Sequence, residues 1–277
     1  MLPYKLRSFI DIDKINWDWL CFNPNAIELL MDNPENINWI YLSKNPAAIE
    51  LLKANPDKID WYELSGNPEA MEILIANQDK INWNTIGGNP NAIAFIESQL
   101  DKDPLIAKKL DWDLLTTNPN ALPILIKHYH MINWPKFSKN PAAMPILEST
   151  MCYIDWVYLS ENPAAISFLT INPIAIDIES LCYNPNGIEL LLEYGDIDQY
   201  DWDGISINPS AINIIEANMD KFVYAFGSAN PAIFTYDYPK MKKNKHDLHE
   251  CLMQELYHPK RILKYLSINA EIENYLP

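Results

Sequence analysis

A sequence motif of 22 residues recurs along the chain, and this repetition constrains the fold more than any other feature of the sequence. In its fullest form it runs from Ile37 to Leu52, contains Asn45-Pro46, and begins again at Ile59. The Asn-Pro pairs of the repeats begin at Asn23, Asn45, Asn67, Asn89, Asn118, Asn140, Asn162, Asn184, Asn208 and Asn230. A fixed period in this range is typical of solenoids, in which each unit contacts only its neighbours.

The Asn-Pro pair is a helix start signal. The asparagine side chain can accept a hydrogen bond from a free N–H of the first turn, and proline at the first helical position needs no partner for a missing N–H. We therefore expect all ten asparagines to be structural caps of a helix of roughly ten residues. Ala48, Ile49 and Leu52 would lie on its buried face.

A second start signal precedes the next Asn-Pro pair. An Asn or Asp stands before a position that is mostly tryptophan, which predicts a very short α or 3₁₀ helix. A regular aromatic column is typical of a core. The predicted core tryptophans are Trp17, Trp39, Trp61, Trp83, Trp112, Trp134, Trp156 and Trp202. Cys21 and Cys182 occupy a position that holds small residues in the other repeats, so both are predicted to be buried thiols.

These patterns predict an all-α protein. It would be an α-solenoid of about ten repeats, each one short helix plus one longer helix, with atypical capping units at both ends. At about 8–10 Å per layer, the stack would form a rod or arc on the order of 90 Å long. Residues 1–14 would be an N-terminal cap and residues 15–233 the solenoid. Residues 234–277 would be a basic segment and C-terminal capping helices packed on the same body.

Charge and motifs bound the possible functions. The formal net charge is −16, and such a surface repels phosphate backbones, which argues against a nucleic-acid partner. We find no phosphate loop, nucleophile elbow or zinc-protease motif, and we expect no catalytic residues, cofactor or metal. His246, His249 and Cys251 are better read as surface residues than as metal ligands. No stretch has the length of a membrane span, so a cytoplasmic protein is expected.

Two positions in each repeat vary too widely to be core. One lies two residues after the tryptophan position, and the other lies just before the Asn-Pro pair. Aromatic residues dominate interface hot spots, so the candidate partner contacts in these columns are Trp19, Phe22, Tyr41, Tyr158 and Tyr183. A competing surface is an acidic ladder in the longer helices, formed by Glu28, Glu50, Glu72 and Glu189. It can also be read as a solvated face that complements the helix N-termini.

The phrase Ile-Asn/Asp-Trp-x-x-Leu-Ser-x-Asn-Pro-x-Ala-Ile-x-Leu-Leu, seen at 37–52 and 154–169, resembles the multicopy repeat proteins of giant viruses of the mimivirus type. The resemblance implies a viral protein made in host cytoplasm, but it carries no established activity. The unit is also similar in architecture to leucine-rich-repeat-variant solenoids. The leading hypothesis is a non-enzymatic scaffold, monomeric or weakly oligomeric, that binds a host or viral protein through one face. A structural virion or assembly component is the alternative, and an enzyme with carboxylates on the concave face is the third.

Overall fold

The computed structural model describes residues 3–246. The chain divides into two compact units. One unit spans residues 6–234 and contains all the repeats, and the other combines residues 1–5 with residues 235–277. The C-terminal capping helices predicted beyond residue 246, together with His249 and Cys251, lie outside the described residues.

The predicted all-α repeat architecture is confirmed. The short helix of the repeat spans Trp17–Leu20, Trp39–Ser43, Trp61–Ser65, Trp112–Thr117, Trp134–Phe137, Trp156–Ser160, Ile178–Leu181, Trp202–Ile207 and Tyr224–Gly227, with a 3₁₀ turn at Ile86–Gly88 in the fourth repeat. The longer helix spans Ile27–Asp32, Ile49–Ala54, Met71–Ala76, Ile93–Lys102, Leu122–Lys127, Met144–Leu147, Ile166–Thr170, Ile188–Tyr194 and Ile212–Ala217. Two short strands, Tyr4–Leu6 and Phe234–Tyr236, pair in a two-stranded sheet.

Two 3₁₀ turns complete the repeat. The Asn-Pro turns span Pro24–Ala26, Pro46–Ala48, Pro68–Ala70, Pro90–Ala92, Pro119–Ala121, Pro141–Ala143, Pro209–Ala211 and Pro231–Ile233. Linker turns between repeats span Ile12–Lys14, Pro34–Asn36, Pro56–Lys58, Gln78–Lys80, Pro104–Lys108, Tyr129–Met131, Met151–Tyr153, Pro173–Ala175 and Ile197–Gln199. The helix predicted to begin at Asn-Pro therefore starts as a 3₁₀ turn. The Ala48 N–H bonds the Asn45 carbonyl at 3.1 Å, three residues back, which tightens that first turn.

Each repeat asparagine both caps its own turn and joins two repeats. Its side-chain oxygen accepts the backbone N–H two residues ahead, as Asn45 does from Ala47 at 2.9 Å. Its side-chain nitrogen donates to two backbone carbonyls of the preceding repeat, which for Asn45 are those of Cys21 and Asn23 at 2.8 and 2.9 Å. All ten asparagines are buried and make both kinds of bond. We call this continuous set of bonds the asparagine ladder.

The repeat position that holds small residues, which we call the slot, also forms a hydrogen bond to the next repeat. The Ser43 hydroxyl donates to the Trp39 carbonyl at 2.7 Å and accepts the Asp60 N–H of the next repeat at 3.0 Å. The same hydroxyl-to-backbone acceptance recurs at Ser65, Thr116, Ser138, Ser160, Ser206 and Ser228. The predicted burial of both cysteine thiols in this slot is confirmed. Burial raises the pKa of Cys182 to about 11, so this thiol stays protonated and inert at neutral pH.

Removing one hydroxyl from this slot is expected to cost about 1–3 kcal/mol, because it leaves a partly buried N–H of the next repeat without its acceptor. Ser65→Ala tests this at the Asn82 N–H. Ser65→Cys is the matched control, since a thiol fills the same slot at Cys21 and accepts the Asn38 N–H. Chemical denaturation should show the larger loss for alanine. Equal stability of Ser65→Ala and the unmodified protein would contradict the role of the hydroxyl.

The repeats close into a ring, which corrects the expectation of an open rod or arc with capped ends. Asn23 donates to the carbonyls of Ser228 and Asn230 at 3.1 and 2.8 Å, which are the contacts that every other repeat asparagine makes with the repeat before it. The Asn16 N–H bonds the Ser228 hydroxyl at 2.9 Å, and the Arg7 N–H bonds the Ile233 carbonyl at 2.9 Å. The tenth repeat thus takes the place of a preceding repeat for the first, and residues 6–14 lie in the same compact unit as the repeats.

Neighbouring repeats lie closer together at one side of the ring than at the other. Neighbouring Asn-Pro turns, and most neighbouring short helices, approach each other more closely than neighbouring long helices do. Units that close a ring must be wedge-shaped, with their closest contacts nearest the axis. The Asn-Pro turns and short helices therefore lie towards the inside of the ring, and the longer helices towards the outside.

The tryptophan column is less buried than predicted. Trp112 is 8% exposed, but the other seven tryptophans keep a larger accessible fraction. Trp112 differs because the inserted segment covers it: Ile106 is buried, and the Trp112 indole N–H donates to the Ala107 carbonyl at 2.9 Å. The inserted segment is the seven extra residues that make the spacing from Asn89 to Asn118 longer than 22, and it forms the end of helix Ile93–Lys102 and the turn Pro104–Lys108.

Candidate functional site: the aromatic seam

The two variable columns face each other between neighbouring repeats and form one band along the ring. The residue before one Asn-Pro pair meets the residue two after the next tryptophan position. Lys44 pairs in this way with Glu63, with 3.7 Å between nitrogen and oxygen. Tyr183 lies against Gly204, where an added Cβ would come within 2.7 Å of the tyrosine ring. We call this set of positions the variable band.

The band carries a cluster of four aromatic rings where the ring of repeats closes. Trp19 contacts Phe22 of its own repeat, with ring centroids 5.7 Å apart, and Phe226 of the tenth repeat at 5.0 Å. Phe22 in turn contacts Tyr41 of the second repeat at 4.9 Å. All four rings are partly exposed. We call Trp19, Phe22, Tyr41 and Phe226 the aromatic seam.

The seam unites three of the five candidate contacts and adds one that the sequence did not single out. Phe226 occupies a variable-band position, but it stands at the far end of the repeats from Trp19, and only ring closure joins them. Tyr158 and Tyr183 lie in the seventh and eighth repeats. The Tyr183 hydroxyl donates to the Asp201 carboxylate at 2.8 Å, and burial together with that carboxylate raises the Tyr183 pKa.

The acidic ladder is partly neutralised by the chain itself. Lys53 lies between Glu50 and Glu72, with its nitrogen 3.3 and 2.8 Å from their carboxylate oxygens. Hydrogen bonding to Lys53 lowers the pKa of Glu72, and the two glutamates raise that of Lys53. Glu189 is exposed on helix Ile188–Tyr194. Because its two central members share one lysine, this surface presents less net charge to a partner than the sequence suggests.

Within residues 3–246, no group of three or more His, Cys, Asp or Glu side chains is placed to hold a metal ion. None of the described helices combines the length and the hydrophobicity that crossing a bilayer requires. No buried side-chain nitrogen or oxygen in the described part of the chain lacks a hydrogen-bond partner. The described polar interior is therefore used by the repeat contacts themselves.

Comparison of the chain with protein-family models, with curated proteins and with solved structures gave no match.

Proposed function

We propose that the chain is a non-enzymatic scaffold that binds another protein through the variable band, centred on the aromatic seam. The observation that supports this most is the seam itself. Four aromatic side chains from three repeats meet at positions that hold non-aromatic residues in most of the other repeats. Tryptophan and tyrosine supply large contact areas with few rotatable bonds, which is why they dominate protein interfaces.

Ring closure makes this role more plausible than end-to-end assembly. In an open solenoid both terminal repeats present an unpaired face, and assembly into filaments needs such faces. In this ring the first repeat meets the tenth through Asn23 and Asn16. The alternative, a structural virion or assembly component, would therefore need a different surface. The repeat motif supports a giant-virus protein that acts in host cytoplasm or in the virion on a host or viral partner.

A double substitution tests the aromatic seam while keeping a contact between the first and second repeats. Phe22 and Tyr41 stand where the next two repeats place Lys44 and Glu63, which form an ion pair. We expect Phe22→Lys combined with Tyr41→Glu to keep the melting temperature within about 4 °C, because an ion pair replaces a ring contact of similar modest strength. The same variant should lose a partner that the unmodified protein retains stoichiometrically from lysate of the cells that make it.

The control is the reverse exchange, Lys44→Glu with Glu63→Lys, which keeps the seam and leaves an ion pair in place. It should capture the partner normally. Equal capture by the seam variant, or the absence of any stoichiometric partner for the unmodified protein, would contradict the proposed function. Light scattering of the pure protein, if it showed polymers that grow with concentration, would favour the assembly alternative instead.

A further inference from the structure

Outside the variable band, lysines of the chain repeatedly cover its tryptophans. In each case the lysine stands 19 residues after the tryptophan, in the linker turn or segment leading to the next repeat. The pairs, with the distance from nitrogen to ring centroid, are Lys58 on Trp39 at 4.5 Å, Lys80 on Trp61 at 4.6 Å and Lys221 on Trp202 at 5.3 Å. Lys14 takes the equivalent place over Tyr224 at 5.9 Å, across the closure of the ring. The repeat thus contains a built-in site where an ammonium group lies over an aromatic face.

Other tryptophans in the described part of the chain have a different cover. Trp83 stacks on Phe95, Trp134 on Tyr153 and Trp156 on Phe168, whereas Trp112 bonds the inserted segment. Trp17 has none of these contacts among the described residues, and the position 19 residues after it holds Asn36. At Trp17 a shorter, neutral side chain replaces the covering lysine, and none of the stacked rings that cover other tryptophans takes its place among the described contacts.

A cavity of about 600 Å³ opens at this place, between the first and second repeats. Trp17 and Trp39 line it together with Asp18, Glu35 and Asn36. Its walls thus combine indole surfaces with two carboxylates and contain no lysine or arginine. This combination favours a cation, on a chain whose net charge is −16.

The fifth and sixth repeats show what a carboxylate at the position of Asp18 can hold. There Asp113 accepts the Asn133 side-chain N–H on one oxygen at 2.8 Å and the Lys136 ammonium on the other at 2.7 Å. Asp18 likewise accepts the Asn38 side-chain N–H at 2.8 Å. The second repeat has Tyr41 where the sixth has Lys136, and no lysine or arginine of the described residues forms an ion pair with Asp18. Asp18 is therefore oriented by Asn38 but is not neutralised by the chain.

We propose that the cleft between Trp17 and Trp39 binds a lysine side chain of a partner protein. The partner's ammonium group lies over Trp17 as Lys58 lies over Trp39, and Asp18 and Glu35 supply the opposite charge. The methylene groups of the lysine stem lie against the indole surfaces. This proposal rests on the proposed function for the existence of a protein partner, but the cleft is lined by residues other than those of the aromatic seam.

The experiment follows the indole N–H signals of ¹⁵N-labelled full-length protein by NMR during titration, with the Trp17 signal assigned through Trp17→Phe. The probe is an end-blocked Gly-Lys-Gly-Lys-Gly peptide, and its norleucine analogue has the same shape without the charge. We expect the lysine peptide to shift the Trp17 signal saturably and the norleucine peptide to leave it unchanged. Binding should weaken in Asp18→Asn and with added salt, as for a charge-assisted contact.

Asn36→Lys is the decisive variant, because it restores the covering lysine that other repeats carry and so closes the cleft from within. We expect it to weaken peptide binding at least about tenfold while the fold is retained. Gln78→Lys is the matched control: it adds the same charge in the linker turn Gln78–Lys80, away from the cleft, and should bind like the unmodified protein.

Three results would overturn the proposal: no shift of the Trp17 signal, an equal shift by the norleucine peptide, or unchanged binding in Asn36→Lys. If butylammonium alone bound as tightly as the peptide, the cleft would be a site for small cations and not for a partner's lysine. Failure of the proposed function is distinguishable, because it appears in partner capture. Capture that survives the seam variant but is lost in Asn36→Lys would reject the seam and retain the cleft.

Discussion

Replacing Asn45 by aspartate is expected to destabilise the protein by about 3 kcal/mol or more, although aspartate caps helices as well as asparagine does. The aspartate oxygen can still accept the Ala47 N–H. What it loses is the donor that bonds the buried carbonyls of Cys21 and Asn23. A carboxylate would instead face two carbonyl oxygens in a site closed to water, so repulsion adds to the loss of both bonds.

Urea denaturation of a short series separates the two roles of this residue. Asn45→Ala should cost roughly as much as the aspartate variant, since both abolish the bonds between repeats. Asp155→Asn is the matched control, because the Asp155 side chain caps a short helix through Val157 and Tyr158 and makes no hydrogen bond to another repeat among the described residues. It should change the free energy of unfolding by less than about 0.5 kcal/mol. If Asn45→Asp were as stable as the unmodified protein, the asparagine would be a cap only.

Deleting one complete repeat, residues 59–80, is expected to open the ring. The deletion joins Lys58 to Ile81 in the register that already joins Lys58 to Ile59, so the local structure is kept. Nine units, however, would each have to turn through about 40° instead of about 36° to close, which the packed contacts between repeats resist. The bonds that Asn23, Asn16 and Arg7 make across the closure would break. At about 1 kcal/mol for each hydrogen bond, the loss is on the order of 5 kcal/mol, beyond the share of the deleted repeat itself.

Hydrogen exchange measured by mass spectrometry locates this effect. Backbone amides of residues 16–25 and 226–233 should be protected in the unmodified protein and should exchange rapidly after the deletion. The control replaces residues 59–80 with a copy of residues 37–58, which keeps ten repeats and should keep the protection. If both segments remained protected in the deletion variant, the ring would close with nine repeats as well as with ten. The inference that packing between wedge-shaped repeats fixes their number would then be wrong.

Much of the repeat was predictable because its signals are local. Asn45-Pro46 predicts a helix start wherever it occurs, since the capping bond spans only two residues. The period and the alternation of a short and a longer helix follow from the same pairs. The hydrogen bond that Ser43 makes between repeats was also predictable. The equivalent position holds mostly hydroxyl or thiol side chains, whereas a position restricted only by size would hold alanine and glycine. That preference indicates a hydrogen bond, here to the Asp60 N–H.

The degree of burial of the tryptophans was harder to predict. Trp39 and Trp112 occupy the same repeat position, yet a lysine covers the first and an inserted segment covers the second. How much of each indole remains exposed depends on the next repeat and on the spacing between repeats. The sequence of a single repeat specifies neither the covering residue nor the spacing between repeats. The cleft at Trp17 has the same origin. It depends on the side chain of residue 36, which lies in the linker turn Pro34–Asn36 that leads to the following repeat.

The period, the capping asparagines, the all-α class and the variable positions can all be predicted from the amino-acid sequence, because each depends on contacts within one repeat or between equivalent neighbours. The closure of the array into a ring is visible only in the folded protein. A small rotation between neighbours accumulates over ten repeats, and no single repeat specifies the sum closely enough to distinguish an arc from a closed circle. Closure then converts distant residues into neighbours. Asn23 joins Ser228 and Asn230, and Trp19 meets Phe226, so the aromatic seam exists only because the two ends of the array meet.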